Sequence, residues 1–164
     1  MLKKEEMNKK TIPKGEFKKI VKDSPIPAVD LIIEVKDGIL LGKRKNPPLK
    51  NRWFVPGGRV YKNEKLKEAV SRIAKKELGI GVNVKEFLGV FEHFYNGSEY
   101  PKIDKHYISH AYQVETKENN FSLNQEHKEI KIFKEPKKGF HRYLKDYFKA
   151  LKKSPKKIEE ELFL

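Results

Sequence analysis

The chain has 164 residues, enough for one domain with a real hydrophobic core; 37% are apolar and another 37% are charged. The absence of cysteine excludes disulfides, thiol nucleophiles and zinc–thiolate sites. No apolar run approaches the length of a membrane span and the Lys-rich start lacks a signal-peptide pattern, so we expect a cytoplasmic protein without a membrane partner.

The net charge of +14 raises the question of nucleic-acid binding. Only five basic residues are arginine, and the densest lysine patches, at 3–10 and 152–157, lie at the two ends, where solvated tails are usual. We therefore do not expect a nucleic-acid partner, and we interpret the charge as an attraction for an anionic nucleotide. The expected organisation is a tail with a short helix at 1–24, one domain at 25–153 and a charged tail at 154–164.

The hydrophobic periodicity and the turn residues predict the elements in chain order. They are a helix at 15–22, a strand at 28–35, its hairpin partner at 39–44, a short strand at 53–55, a helix from about 64 to 79, long strands at 82–95 and 106–115, a short strand at 130–133 and an amphipathic helix at 140–151. This order predicts an α/β (α+β) fold in which a mixed sheet packs between helices.

The stretch from 55 to 80 organises the chain. It opens with Pro56-Gly57-Gly58, which predicts a turn where the backbone can approach a ligand, because glycine has no Cβ. In the helix that follows, Glu77 falls near the centre of the apolar face. A carboxylate there is costly unless a cation offsets it, as a divalent ion bound through oxygen would. The alternative is that the last turn frays and Glu77 bends into solvent.

The spacing within this stretch resembles the Nudix box, through Gly58, Glu64, Arg72, Glu77, Gly79 and Ile80. Nudix enzymes hydrolyse nucleoside diphosphates linked to another moiety, using a divalent metal. Two glutamates of the usual box are replaced here by Ile73 and Lys76. That departure resembles the GDP-mannose mannosyl hydrolase branch, whose box also lacks those acids and which is taken to use one metal ion and to attack the sugar carbon.

Four further segments, 41–44, 53–60, 92–95 and 106–107, also resemble that branch, so the resemblance spans about 25–127. It implies the Nudix α/β/α sandwich with a mixed central sheet, a nucleotide-sugar substrate and a homodimer.

The resemblance also implies the ligands of one Mg²⁺ or Mn²⁺ ion per site. The backbone carbonyl of Gly57 and the carboxylate of Glu77 supply two of them, and the diphosphate and waters complete the sphere. The family's third protein ligand is a glutamine directly before the catalytic histidine. Here Glu126 occupies that position and Gln125 precedes it. We favour Glu126, and the alternative is a loop shifted by one residue.

Three arginines lie near the predicted site. By resemblance Arg44 and Arg59 contact the diphosphate, whose oxygens a guanidinium grips in bidentate fashion. The alternative for Arg44 is an exposed hairpin end. Arg72 follows Glu68 by four residues, so a helix-surface ion pair competes with the supporting role of its family counterpart.

His127 is the candidate general base, since histidine titrates near neutrality; the sequence places it in a polar loop before the last strand. His93 flanks the predicted mouth of the sheet. By resemblance Asp30 contacts the sugar and Tyr107 lies near the nucleotide phosphates. Half-buried hydrogen bonding is the alternative for Asp30, and a structural role is the alternative for Tyr107.

The sequence therefore predicts hydrolysis of a nucleoside-diphosphate sugar, GDP-mannose first, by attack of water at the anomeric carbon. No general acid is needed, because a diphosphate neutralised by a cation is a good leaving group. One alternative is a Nudix pyrophosphatase that attacks phosphorus, for example on ADP-ribose; the loss of two carboxylates at Ile73 and Lys76 argues against it. Another is a non-catalytic nucleotide or RNA binder that keeps Arg44 and Arg59.

Overall fold

A computed structural model describes residues 11–36, 38–124 and 126–153. Most of the predicted N-terminal tail, Gln125 and the predicted tail at 154–164 lie outside the described residues. Within those ranges, no helix is both long and apolar enough to cross a membrane.

The described chain forms three helices and seven strands, close to the predicted order. They are α1 (Lys14–Asp23), β1 (Ile26–Val35), β2 (Gly38–Arg44), β3 (Trp53–Phe54), β4 (Gly57–Arg59), α2 (Leu66–Leu78), β5 (Asn83–Tyr95), β6 (Lys105–Glu115), β7 (His127–Phe133) and α3 (Arg142–Leu151).

The strands form one mixed sheet that divides where β1 and β2 part. β1 lies parallel to β6, β5 is antiparallel to β6, and β7 is antiparallel to β2. β1 and β2 pair directly only near the hairpin, from Ile33↔Leu40 to Val35↔Gly38. Beyond it, β3 pairs with β2 and β4 pairs with β1. The connected strands β3 and β4 therefore bridge the gap between the two diverging strands.

Two hydrophobic cores cover the two faces of the sheet. Residues alternate along β1, so Leu31 and Ile33 face α2 while Ile32 faces α3. On the second face the core is largely aromatic and includes Tyr143 and Tyr147 from α3. The predicted mixed sheet packed between helices is confirmed. Asp30 shares the face of Ile32, which directs this polar residue toward α3.

The central helix begins later than predicted but ends as predicted. Glu64 precedes α2, and the backbone amide of Lys65 donates to Glu68 Oε2 at 2.9 Å, which satisfies an amide at the helix start. At the other end Gly79 adopts a left-handed conformation with φ of 71°. Glycine tolerates this conformation without a Cβ clash, so the helix stops where the sequence indicated.

The predicted glycine turn at Pro56-Gly57-Gly58 is wrong, since Gly57 begins strand β4. Gly57 pairs with Asp30 and Gly58 pairs with Val29. Glycine is needed at position 57 because the structure leaves no room there for a Cβ atom. A Cβ on Gly57 would overlap the Asp30 carboxylate and lie 2.9 Å from the Val29 carbonyl oxygen. A short glycine-containing segment has little intrinsic strand propensity, so only the pairing with β1 makes it a strand.

Replacement of Gly57 by alanine is expected to lower the free energy of unfolding by about 1–3 kcal/mol, because the added methyl group forces β1 and β4 apart. Gly58→Ala is the matched control, since its Cβ would meet only the Ile73 side chain, at 3.4 Å. Urea unfolding of both variants measures the difference. Equal stabilities of the two variants would contradict the close approach.

Candidate active site

A cleft of about 690 Å³ opens where β1 and β2 diverge. Its wall contains every predicted site residue except one. The predicted residues on the wall are Asp30, Arg44, Gly57, Arg59, Glu77, His93, Tyr107 and Glu126. These residues come from both faces of the sheet, so the divided sheet brings them to one opening.

Glu77 is buried in the last turn of α2, with 6% of its surface exposed. The alternative that it bends into solvent is therefore wrong. Burial raises the pKa of its carboxyl group, and the negative charge of Glu126 raises it further, while a hydrogen bond from Asn124 acts in the opposite direction. Two carboxylates on one cleft wall repel each other unless a cation lies between them.

His127 is not in a loop as predicted, because it is the first residue of β7 and pairs with Arg44 of β2. Its ring packs against Gly42 and is only 2% exposed. Nδ1 lies 3.5 Å from Glu77 Oε2, and neither ring nitrogen has a hydrogen-bond partner among the described residues. Burial, followed by the charge of Arg44, lowers the pKa of His127 to about 4. The ring is thus neutral at pH 7 and lies behind Glu77, not on the cleft wall.

Arg44 is half-buried at the end of β2, and its Nε donates to the Pro48 carbonyl oxygen at 2.8 Å. The alternative of an exposed hairpin end does not hold. Burial raises the pKa of Asp30 and of Glu77 and lowers the pKa of His127; the positive charge of Arg44 opposes the two rises and adds to the fall. One guanidinium therefore acts on groups from three separate elements, which places it centrally among them.

Arg59 and Arg72 both lie against the Tyr61 ring. The guanidinium carbons are 4.6 Å and 3.7 Å from its centroid, and Arg59 also lies 5.3 Å from the Phe17 ring. Arg72 donates to Glu64 Oε1 at 2.6 Å and to the carbonyl oxygen of Arg59 at 2.9 Å. The alternative of an ion pair between Arg72 and the helix residue four positions before it is therefore wrong. Arg72 supports the backbone that carries Arg59.

The sequence analysis did not identify Phe17 and Tyr61, whose rings lie against Arg59. No short-range spacing connects Phe17 of α1 with Tyr61, and only the packing of α1 beside the cleft brings them together. Lys105 was missed as well, although it is 6% exposed and lines the cleft. It donates to both carboxylate oxygens of Glu99, at 2.9 and 2.8 Å, and lies 5.2 Å from the Tyr107 ring.

Asp30 and His93 form the buried part of the cleft wall on the α3 side. Asp30 is 7% exposed and accepts a hydrogen bond from the hydroxyl of Tyr147. Burial raises the pKa of Asp30 to about 6, although Tyr147, Ser109 and Arg44 oppose the rise. His93 Nδ1 is 3.9 Å from Asp30 Oδ2, and burial lowers the pKa of His93 to about 4. Asp30 is thus both on the cleft wall and hydrogen-bonded.

Asp30→Asn is expected to stabilise the folded protein above pH 6. A pKa of about 6 in the folded state against 3.8 in the unfolded chain means that the folded state holds its proton more tightly. The contribution of the Asp30 carboxyl group to the free energy of unfolding is therefore fully present below pH 4. It is lost as the pH rises through 6, and the loss amounts to about 3 kcal/mol. Urea unfolding of the wild type and the variant at pH 4 and pH 7.5 tests this. A stability difference that is the same at both pH values would contradict it.

The donors for a metal ion are few. No group of three or more His, Cys, Asp or Glu side chains with metal-binding geometry occurs in the described part of the chain. The cleft wall does present the carboxylates of Glu77 and Glu126 and the backbone of Gly57. This set of oxygen donors fits one hard divalent cation whose remaining ligands come from substrate and water.

Comparison with known proteins gives concordant matches. A family model described as the NUDIX domain matches residues 24–147. The low-salt glycan biosynthesis protein Agl8 of Haloferax volcanii is 43% identical over 141 residues, which cover 85% of this chain and 90% of that protein. The ADP-ribose pyrophosphatase of Methanocaldococcus jannaschii is 46% identical over 85 residues, which cover 51% of this chain and 50% of that protein. The crystal structure of a MutT NUDIX hydrolase from Burkholderia pseudomallei superposes with a TM-score of 0.68 at 23% identity, over 79% of this chain and 99% of that one. This structural similarity shows a shared fold and nothing further.

Proposed function

This chain belongs to the NUDIX domain family and is a Nudix hydrolase, and from that premise we propose that it hydrolyses a nucleoside-diphosphate sugar, with GDP-mannose as the first candidate. Water attacks the anomeric carbon, the bond from that carbon to the diphosphate oxygen breaks, and the sugar and the nucleoside diphosphate leave.

The observation that carries this proposal is the wall that α2 presents to the cleft. Ile73, Lys76 and Glu77 all line it. Ile73 is 2% exposed and belongs to the core that α2 forms with the sheet, so it offers no ligand. Lys76 brings a positive charge to the wall. A single carboxylate from this helix suits one cation and is too little for the several that attack at phosphorus would favour.

Arg44 and Arg59 are the proposed ligands of the diphosphate. Both line the cleft, and a guanidinium offers paired donors to phosphate oxygens. The negative charge on the diphosphate rises as the sugar bond breaks, so positive groups held in place stabilise the transition state more than the bound substrate. The contact of Arg72 with the Arg59 carbonyl oxygen holds that part of the site in position. Tyr107 and Lys105 line the same cleft beside them.

Nudix hydrolases generally use divalent cations such as Mg²⁺. Glu77, Glu126 and the Gly57 carbonyl are the groups that would hold one here. When bound, the cation would neutralise charge on the diphosphate leaving group and ease its departure. The carboxylates of Glu77 and Glu126 repel each other, and a cation bound by both would offset that repulsion. This is the reason to propose both as ligands.

His127 is the proposed base. Its pKa of about 4 keeps the ring neutral at pH 7, so a ring nitrogen can accept a proton. Because the ring lies behind Glu77, the proposed step requires that water reach it beside that carboxylate. Asp30, on the α3 side of the cleft, is the proposed contact to a sugar hydroxyl, with His93 next to it.

A pyrophosphatase that attacks phosphorus is the second candidate, because the Methanocaldococcus jannaschii relative bears the name ADP-ribose pyrophosphatase. That match spans half of the relative and does not remove the argument from Ile73 and Lys76. A homodimer remains a prediction of the resemblance, and a cytoplasmic location remains a prediction from the composition of the sequence.

Hydrolysis of GDP-mannose and of ADP-ribose, with Mg²⁺ in ¹⁸O-labelled water, separates the two candidates by mass spectrometry. We expect label in free mannose and none in GDP. Label in a nucleotide or a sugar phosphate would overturn attack at carbon and support the pyrophosphatase. Nucleotide binding without turnover of either substrate would overturn both and support a non-catalytic binder.

A further inference from the structure

The hydroxyl of Tyr147 connects the C-terminal helix to the cleft. Tyr147 lies in the middle of α3 and is 1% exposed, and its ring packs edge-on against Phe91 at 4.9 Å between centroids. None of the described residues of α3 lines the cleft. The ring of Tyr147 therefore packs in the core, but its hydroxyl group, the polar end of the side chain, forms its hydrogen bond outside the core.

That polar end meets Asp30. The hydroxyl donates to Asp30 Oδ2, across 117 positions of sequence, and also lies 3.5 Å from His93 Nε2. A buried tyrosine hydroxyl needs a hydrogen-bond partner, and a backbone carbonyl would serve. Tyr143 on the same helix shows that arrangement, since its hydroxyl donates to the Phe94 carbonyl oxygen at 3.2 Å. Tyr147 instead uses a carboxylate of the cleft wall.

The contact distinguishes the two oxygens of Asp30. Oδ2 accepts from Tyr147. Oδ1 lies against Gly57, where even a Cβ would overlap it. With Oδ2 held from the α3 side, and with Ser109 as a further hydrogen-bond partner of the carboxylate, its rotation is restricted and Oδ1 lies on the side of β4.

We propose that Tyr147 is a positioning residue, which holds the Asp30 carboxylate so that Oδ1 faces the bound sugar. This inference rests on the proposed role of Asp30 in sugar binding. It assigns to α3 a part in the reaction, although the helix lies outside the cleft. A hydrogen bond to a charged group restrains geometry more strongly than one between neutral groups, and small losses of orientation are costly in rate.

Tyr147→Phe keeps the ring in the core and removes only the hydroxyl. We expect kcat to fall about 10- to 100-fold, as for other residues that orient a ligand-binding group, with a smaller change in KM. Tyr143→Phe is the matched control, because it removes a hydroxyl from the same helix whose hydrogen-bond partners among the described residues are the backbone of Phe94 and the side chain of Arg142. Its kcat is expected to stay within about threefold of the wild type. Thermal unfolding of both variants shows whether each is folded at the assay temperature.

The double variant with Asp30→Asn separates positioning from general destabilisation. If Tyr147 acts through Asp30, Tyr147→Phe lowers kcat in the wild type and has no further effect in the Asp30→Asn background. Effects that multiply, or a kcat for Tyr147→Phe within twofold of the wild type, would overturn the inference alone. An Asp30→Asn variant with unchanged kcat would overturn the proposed role of Asp30 as well, so the two failures are distinguishable. The cycle is measured on whichever nucleotide sugar the wild type turns over.

Discussion

Glu77→Gln is expected to lower kcat/KM by about 10³ while the protein remains folded. The substitution keeps the volume of the side chain and removes the charge that we propose holds the cation, and loss of one fixed electrostatic group in a buried site costs about 10²–10³ in rate. Burial raises the pKa of the Glu77 carboxyl group. Without cation, the neutral amide is therefore expected to be at least as stable as the wild type above neutral pH.

Thermal unfolding with and without Mg²⁺ gives a second measurement that does not depend on turnover. A ligand at about a hundred times its Kd stabilises the state it binds by about 2.7 kcal/mol. The wild type should show a stabilisation of this kind and Glu77→Gln should lose it. Glu68→Gln, on the exposed first turn of the same helix, is the control and should keep both activity and the Mg²⁺ effect. A Mg²⁺ effect that survives in Glu77→Gln would contradict the ligand assignment.

His127→Gln is expected to lower kcat by about 10²–10⁴ with little change in KM, because removal of a general base acts on the transition state and not on substrate binding. Glutamine is close in size to the ring that packs on Gly42, so the strand pairing of β7 should persist. Steady-state kinetics at pH 7.5 gives both constants.

His110→Gln is the matched substitution, since His110 lies on β6, its Nδ1 is 3.1 Å from the Ala28 carbonyl oxygen, and it does not line the cleft. It should leave kcat within about threefold of the wild type. A kcat for His127→Gln within tenfold of the wild type would remove His127 as the base. The base would then have to come from the cleft wall, where Asp30 is the remaining candidate with a pKa near 6.

Several features could be predicted because they depend on neighbours in the chain. The apolar face of α2 recurs every three to four residues, and Glu77 falls within it whatever the helix packs against. Gly79 ends the helix through its own backbone preference. The burial of Glu77, the inference that it needs a cation and the replacement of two box acids therefore follow from the residues of this one segment.

Other features depended on pairing between distant segments. Gly57–Arg59 is a strand because β1 offers it partners, and nothing in its own residues favours that state. His127 is buried because β7 pairs with β2, although the polar residues before it are typical of a loop. In both cases a tertiary contact decided against the local pattern.

The sequence by itself determined the order of the elements other than β4, the two-sided core and the chemistry of the groups on the cleft wall, since periodicity and residue type are properties of each segment alone. Only the tertiary structure decided how those groups face one another. The parting of β1 from β2 joins the two faces of the sheet in one cleft, the packing of α3 on the sheet brings Tyr147 to Asp30, and the pairing of β7 with β2 brings His127 near Glu77. Such contacts depend on packing and register across more than a hundred residues or between separate elements, which local patterns do not encode.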